Sequence, residues 1–344
     1  MKRLMCLLPL LLVALLALNL TACKKDHNDP AKIALSNHDQ KMKAVTDEVK
    51  NVKKHDKALL LVSFGSTWEA PQKTFANIKK AFADKFTDRD VYFAFTSEIC
   101  MTRCIKKVNK HYYAPQFYLE ALGLAGYKDI AVQSLHVIPG EEYLRLKGKV
   151  KDFHNSGDHP KFGEVTVYLA GPLLEEESDC QTVADALHKV YGDKVTSNIV
   201  CFMGHGNPDG YDYQNGNSRY TMMEKKLQAL NPNYFVGTVD MKGNLVNDVV
   251  KRIKAAGKAS GNVMLHPLMS IAGDHANNDM KGGTNPTEPE EGSWRQVLGA
   301  SGFTCTLDDC TIMGLADYPP IVNVWISHME KALAADPMYP EKEE

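Results

Sequence analysis

The stretch Ile199-Val200-Cys201-Phe202-Met203-Gly204-His205-Gly206-Asn207 decides the fold. Five apolar residues run on without a polar break and then open into a loop in which glycines flank a histidine. A short, unbroken apolar run closed by glycine reads as a strand buried on both faces, the kind that parallel sheets use. The pattern returns at 263–271, which opens into Ala272-Gly273-Asp274-His275. Between the two, Tyr234-Phe235-Val236-Gly237-Thr238-Val239 ends on Asp240. Two imidazoles and a carboxylate therefore leave the C-terminal ends of three parallel strands, the edge at which open α/β sheets bind ligands. Histidine with carboxylate is a ligand set for a divalent transition metal.

The rest of the chain alternates in the same way. Strand-like runs are expected at 57–63, 91–96, 130–137, 165–170, 199–203, 235–239, 263–269 and 303–306. Helical periodicity is expected at 71–86, at 113–125 closed by Gly126, at 141–153, and at 178–191 capped by Gly192. It continues at 219–230, 245–256, 293–299 and 320–334. Such alternation implies an α/β fold with parallel, doubly wound sheets. The halves also echo each other. Leu61-Val62-Ser63-Phe64-Gly65-Ser66 stands where Phe202-Met203-Gly204-His205-Gly206-Asn207 stands, which aligns Phe64 with His205. Leu135-His136-Val137-Ile138-Pro139-Gly140-Glu141-Glu142 matches Leu268-Met269-Ser270-Ile271-Ala272-Gly273-Asp274-His275, which aligns Glu142 with His275. The expected organisation is two similar lobes, 57–195 and 196–335, facing a central cleft, with a tail at 336–344. Only the second lobe carries the imidazole pair.

Residues 1–22 read as a signal peptide: a basic Lys2-Arg3, an apolar run too short for a comfortable membrane span, and Leu20-Thr21-Ala22-Cys23. The last four resemble a bacterial lipobox, with Cys23 as the lipidated residue. The expectation is an exported lipoprotein, facing the periplasm or anchored to the outer membrane, with the membrane as a partner through acyl chains. Residues 23–56 are polar and charged and read as a tether, with a helix at 41–52. Export permits disulfides. Cys100 and Cys104 have i,i+4 spacing, and Cys305 and Cys310 bracket a short turn; each pair reads equally as a disulfide or as two thiols. A net charge of −2 with no basic stripe excludes a nucleic-acid partner.

Several loops together resemble a known family. They are Ser63-Phe64-Gly65-Ser66, Ala94-Phe95-Thr96-Ser97, Val132-Gln133-Ser134-Leu135-His136-Val137-Ile138, Gly140-Glu141-Glu142-Tyr143, Phe202-Met203-Gly204-His205-Gly206, and Ala272-Gly273-Asp274-His275-Ala276-Asn277-Asn278-Asp279-Met280. In this order and spacing they resemble the anaerobic-type sirohydrochlorin cobaltochelatases, class II, ATP-independent chelatases related in fold to ferrochelatase. The resemblance implies a metal held by His205, Asp240 and His275, with His205 and His275 also catalytic. At the acidic position this chain has Asp240 where the family usually has Glu. The metal is expected to be Co²⁺, with Fe²⁺ and Ni²⁺ as alternatives, and no nucleotide is involved. The tetrapyrrole would meet Ser63, Phe64, Gly65, Ser66, Ser97, His136 and Glu142. Insertions at 207–217 and 282–292 would reshape the cleft mouth, and self-association stays open.

The residues also have plainer readings. Asp274 suits the N-cap of a helix, His136 a buried hydrogen-bonded core position, and His266, inside a strand before Pro267, a structural one. Ser63, Ser66 and Ser97 suit helix caps as well as substrate carboxylates. The export signal keeps a second function in view. An exported lipoprotein with this fold would bind haem, or remove its iron, for acquisition. A third reading is delivery of cobalt or nickel without a tetrapyrrole.

Overall fold

The structure is a computed structural model that describes residues 38–154, 160–208 and 210–339. The expected signal segment and Cys23 lie outside the described residues. The first lobe is built on β1 (Lys57–Ser63), β2 (Asp90–Phe95), β3 (Asp129–Ser134) and β4 (Thr166–Ala170). They form one parallel sheet in the order β2-β1-β3-β4. The second is built on β5 (Ile199–Gly204), β6 (Tyr234–Thr238) and β7 (Val263–Pro267), parallel in the order β6-β5-β7. In each lobe the first strand is central, because a right-handed crossover must pass over a face of the sheet before the next strand can pair. β5 is buried along its whole length, as its unbroken apolar run requires.

The helices are α1 (His38–Val52), α2 (Glu69–Lys85), α3 (Glu98–Lys107), α4 (Pro115–Leu124), α5 (Glu141–His154), α6 (Glu177–Val195), α7 (Ser218–Leu230), α8 (Val246–Ala255), α9 (Trp294–Ala300) and α10 (Pro319–Ala334). Several features depart from the sequence expectations. The helix expected at 41–52 forms as α1, but it is docked rather than part of a tether: Val45 and Val49 are fully buried and Val49 O accepts the Tyr92 hydroxyl at 3.3 Å. Gly192 lies inside α6 rather than capping it, because the helix continues through Tyr191 and Val195, both buried. The expected strand at 303–306 makes only an isolated bridge, Asn262 with Thr304, since the turn at 306–309 is folded back on the Asp309 carboxylate. Finally, α10 crosses back and packs on β4 and α6 of the first lobe. Tyr339, in the expected tail, pairs with Val167 at the edge of β4. All six described cysteines are free.

The echo between the lobes is visible in their hydrogen bonds. Ser97 N donates to Phe64 O at 3.1 Å, and Asp240 N donates to His205 O at 2.9 Å. Leu135 N donates to Val62 O, and Leu268 N to Met203 O, at 2.8 and 2.7 Å. Phe64 is therefore the structural counterpart of His205, and Ser97 that of Asp240. Gly65 and Gly206, the next residues, both take positive φ, +107° and +79°. A side chain at Gly206 would also stand 2.9 Å from Met241 N, so this loop admits only glycine.

Candidate metal centre

His205 follows β5 directly, and its carbonyl accepts the N–H groups of Val239 and Asp240 at 3.0 and 2.9 Å. Backbone bonds thus stitch the loop after β5 to the loop after β6. Tyr220 of α7 supports the same loop, its hydroxyl accepting Gly206 N at 3.3 Å. Nothing in the local sequence pattern marks Tyr220 for this role. It comes from another element, and it lies against Gly204, where any side chain would collide with the phenol ring.

His275 begins a single π-helical turn, Ala276–Met280, a wide form that is rare and concentrates at functional sites. The imidazoles of His205 and His275 meet edge to face, ring centroids 4.7 Å apart at 81°. Each commits Nδ1 to a protein acceptor. His205 Nδ1–H donates to Gly206 O at 2.7 Å, and His275 Nδ1–H to Asp279 Oδ2 at 2.6 Å. A hydrogen bond at one ring nitrogen sets the tautomer and leaves the lone pair on the other. Among the described residues neither Nε2 has a protein hydrogen bond, so each is available to a metal or a proton. Asp279 was not expected from the sequence as part of the site. The available signal was its i+4 spacing from His275, which puts it on the same side of a helical turn.

Asp240 lies beside the site, with Oδ2 3.7 Å from His205 Nδ1. It approaches the nitrogen already bound to Gly206 O, not the free Nε2. Among the described residues no three His, Cys, Asp or Glu side chains form a ready metal cage. What the fold assembles is an imidazole pair with a carboxylate behind each ring. The hydrogen bond to Asp279 raises the His275 pKa above the ordinary imidazole value. Burial opposes that rise, and the charges of Asp279, Asp240 and Asp274 support it.

The other expected site residues fall into two sets. Phe64 is 43% exposed on the facing lobe, and Gly65, Ser97 and Glu142 are half-buried. Ser63 and Ser66 are buried, and the Ser97 hydroxyl caps α3 by accepting Cys100 N. His136 is buried, with Nδ1 2.9 Å from Ser134 Oγ and Nε2 unpartnered, and burial lowers its pKa. His266 has the structural environment expected of it. It is fully buried, its Nε2 bonds the Tyr318 hydroxyl at 2.9 Å, and burial lowers its pKa to about 3. Hydrogen bonds tie described residues at both insertions. Asn207 and Asn217 exchange two at 2.8 Å, and the Arg295 guanidinium donates to the carbonyls of Lys281 and Asn285, both at 2.6 Å.

Comparison with known proteins gives a consistent picture. The family model described as cobalt chelatase (CbiK) matches residues 57–334. The chain is 31% identical over 281 residues to the sirohydrochlorin cobaltochelatase CbiKC of Nitratidesulfovibrio vulgaris, covering 81% of this chain and 91% of that protein. It is 29% identical over 278 residues to the sirohydrochlorin cobaltochelatase of Salmonella typhimurium, covering 80% and 96%. Among solved structures, SirB from Bacillus subtilis with Fe³⁺ superposes with a TM-score of 0.52 at 16% identity, covering 81% of this chain and 96% of that one. That likeness bears on the fold alone.

Proposed function

The chain belongs to the cobalt chelatase (CbiK) family, and on that premise we propose that it inserts Co²⁺ into sirohydrochlorin, the substrate named for its two relatives. The observation that carries this reading is the imidazole pair at 4.7 Å with both Nε2 atoms free. Metal insertion exchanges one dication for two pyrrole protons. His205 and His275 hold the metal through Nε2, and as the metal passes to the pyrrole nitrogens each vacated Nε2 lone pair accepts one of the two departing protons. Asp240, half-exposed on the Nδ1 side of His205, balances the incoming charge together with Asp279, and becomes a direct ligand only if its side chain turns toward Nε2. Phe64, Gly65, Ser97 and Glu142 on the facing lobe meet the macrocycle. The test is direct: purified protein mixed with sirohydrochlorin and Co²⁺ accelerates the change from the free to the cobalt-bound visible spectrum without ATP. No acceleration over the uncatalysed rate refutes the reading.

The raised pKa of His275 gives the reaction a pH dependence. A metal needs the neutral ring, so at low pH it must displace a proton that Asp279 helps to retain. Co²⁺ affinity therefore rises as pH climbs through the His275 pKa, above the usual value of about 6.5, and levels off beyond it. Asp279→Asn removes the main cause of the elevation and moves the rise to lower pH. Calorimetric Co²⁺ titrations across this range check it, and a flat profile contradicts it.

Leu20-Thr21-Ala22-Cys23 supports a location outside the cytoplasm, with the enzyme attached by acyl chains on Cys23. Labelled fatty acid should enter the wild-type protein and not Cys23→Ser, which should accumulate as precursor or leave the membrane fraction. Absence of label in the wild type refutes the anchor.

A further inference from the structure

Asp274 immediately precedes His275 and suits a helix cap, yet among the described residues the hydrogen bond its side chain accepts comes from elsewhere. Its oxygens are instead engaged by the other lobe. The Trp68 indole Nε1–H donates to Asp274 Oδ1 at 2.6 Å, and Arg103 Nη1 lies 3.8 Å from Oδ2. Trp68 stands just ahead of α2 on a platform that is itself fixed. Gln72 Nε2 donates to the carbonyls of Ser66 and Trp68 at 3.0 and 3.3 Å, and the Tyr112 hydroxyl donates to Gln72 Oε1 at 2.7 Å. The Tyr112 ring stacks on Phe95 with centroids 3.9 Å apart. Cys104 Sγ–H donates to Ser66 O at 3.2 Å. The lobes touch closely here, since a Cβ on Gly273 would lie 3.3 Å from Ser66 Oγ.

On the C-terminal side, His275 is tied by Nδ1 to Asp279. The imidazole is therefore held at two points: by Asp279 within its own turn, and by Trp68 through the residue before it. An indole offers one donor in one direction, and a donor paired with a carboxylate makes a strong, directional bond. We propose that Trp68 is a positioning residue for metal insertion: by holding Asp274 across the lobe interface it aims the His275 ring at His205. This rests on the reading of His275 as a metal ligand. Its consequence is that the lobe expected to seat the macrocycle also sets the geometry of the metal-bearing histidine.

The test uses the full chain with sirohydrochlorin and Co²⁺. Trp68→Phe keeps an aromatic ring and removes the N–H. It is expected to lower kcat roughly tenfold, the scale at which supporting-shell losses act, and to leave KM for sirohydrochlorin within about twofold. Asp274→Leu should reproduce that loss, and the double variant should be no worse than either single one, because both remove the same bond. Asp274→Asn keeps the Oδ1 acceptor and should restore most of the rate. An unchanged kcat in Trp68→Phe, losses that multiply in the double variant, or Asp274→Asn as impaired as Asp274→Leu would overturn the proposal. A His275→Ala control separates the two readings. If Co²⁺ affinity is lost in His275→Ala while Trp68→Phe turns over normally, the positioning role alone fails. If His275→Ala binds Co²⁺ like wild type, the metal-site reading fails and takes this proposal with it.

Discussion

His205→Ala and His275→Ala each lower Co²⁺ insertion at least about a hundredfold, and the double variant is hardly worse than either, because the two rings act as one unit. The expectation follows from their pairing at 4.7 Å with both Nε2 atoms free. Neither change should cost much stability: the side chains of His205 and His275 are 47% and 38% exposed, and no core packing depends on them. Asp240→Asn in the same assay separates a ligand from a neighbour. A directly ligating carboxylate loses roughly tenfold or more in Co²⁺ affinity when neutralised, whereas Asp240→Glu is tolerated. Rates from the sirohydrochlorin–Co²⁺ spectrum, with thermal melts as control, decide it. Wild-type turnover in His205→Ala would remove the metal centre as drawn here. Unchanged affinity in Asp240→Asn would leave a two-histidine site completed by water or by the macrocycle.

The second large effect is on stability and tests the crossover of the last helix. Trp325 is fully buried on α10, which packs on β4 and α6 rather than on the sheet of its own half. Trp325→Ala should cost about 3–5 kcal/mol, the range for removing a large aromatic side chain from a core. For a chain of this size that is a fall of roughly 10 °C in thermal midpoint. Trp325→Phe should cost much less, because the indole Nε1 has no hydrogen-bond partner to lose. Denaturant midpoints measure both. A loss under about 1 kcal/mol in Trp325→Ala would mean that α10 is not seated on the first sheet.

Much of the site was legible because its signals are local. An apolar run between glycines specifies a buried strand, and the residue after it must leave at the strand's C-terminal end. That placed His205 and Asp240 at one sheet edge with His275 close by. The paired backbone bonds at Phe64 and Ser97, and at His205 and Asp240, uphold the register read from the repeated loops. The helix at α3 was not expected as an element: the i,i+4 spacing of Cys100 and Cys104 was weighed only as a disulfide or two thiols, and the two are free.

Sequence by itself thus determined the alternation, the parallel sheets and the loops that bear the imidazoles, since period and glycine punctuation act within a few residues. It could not say which nitrogen of each ring stays free, because that depends on Gly206 O and Asp279, whose positions are set by loop conformation. Nor could it join Trp68 to Asp274, or send α10 back to the first lobe. Those contacts lie far apart along the chain and exist only once the lobes have met. Their cause is tertiary: a directional donor finds its carboxylate, and an apolar helix face its sheet, only when packing brings distant segments within bonding distance.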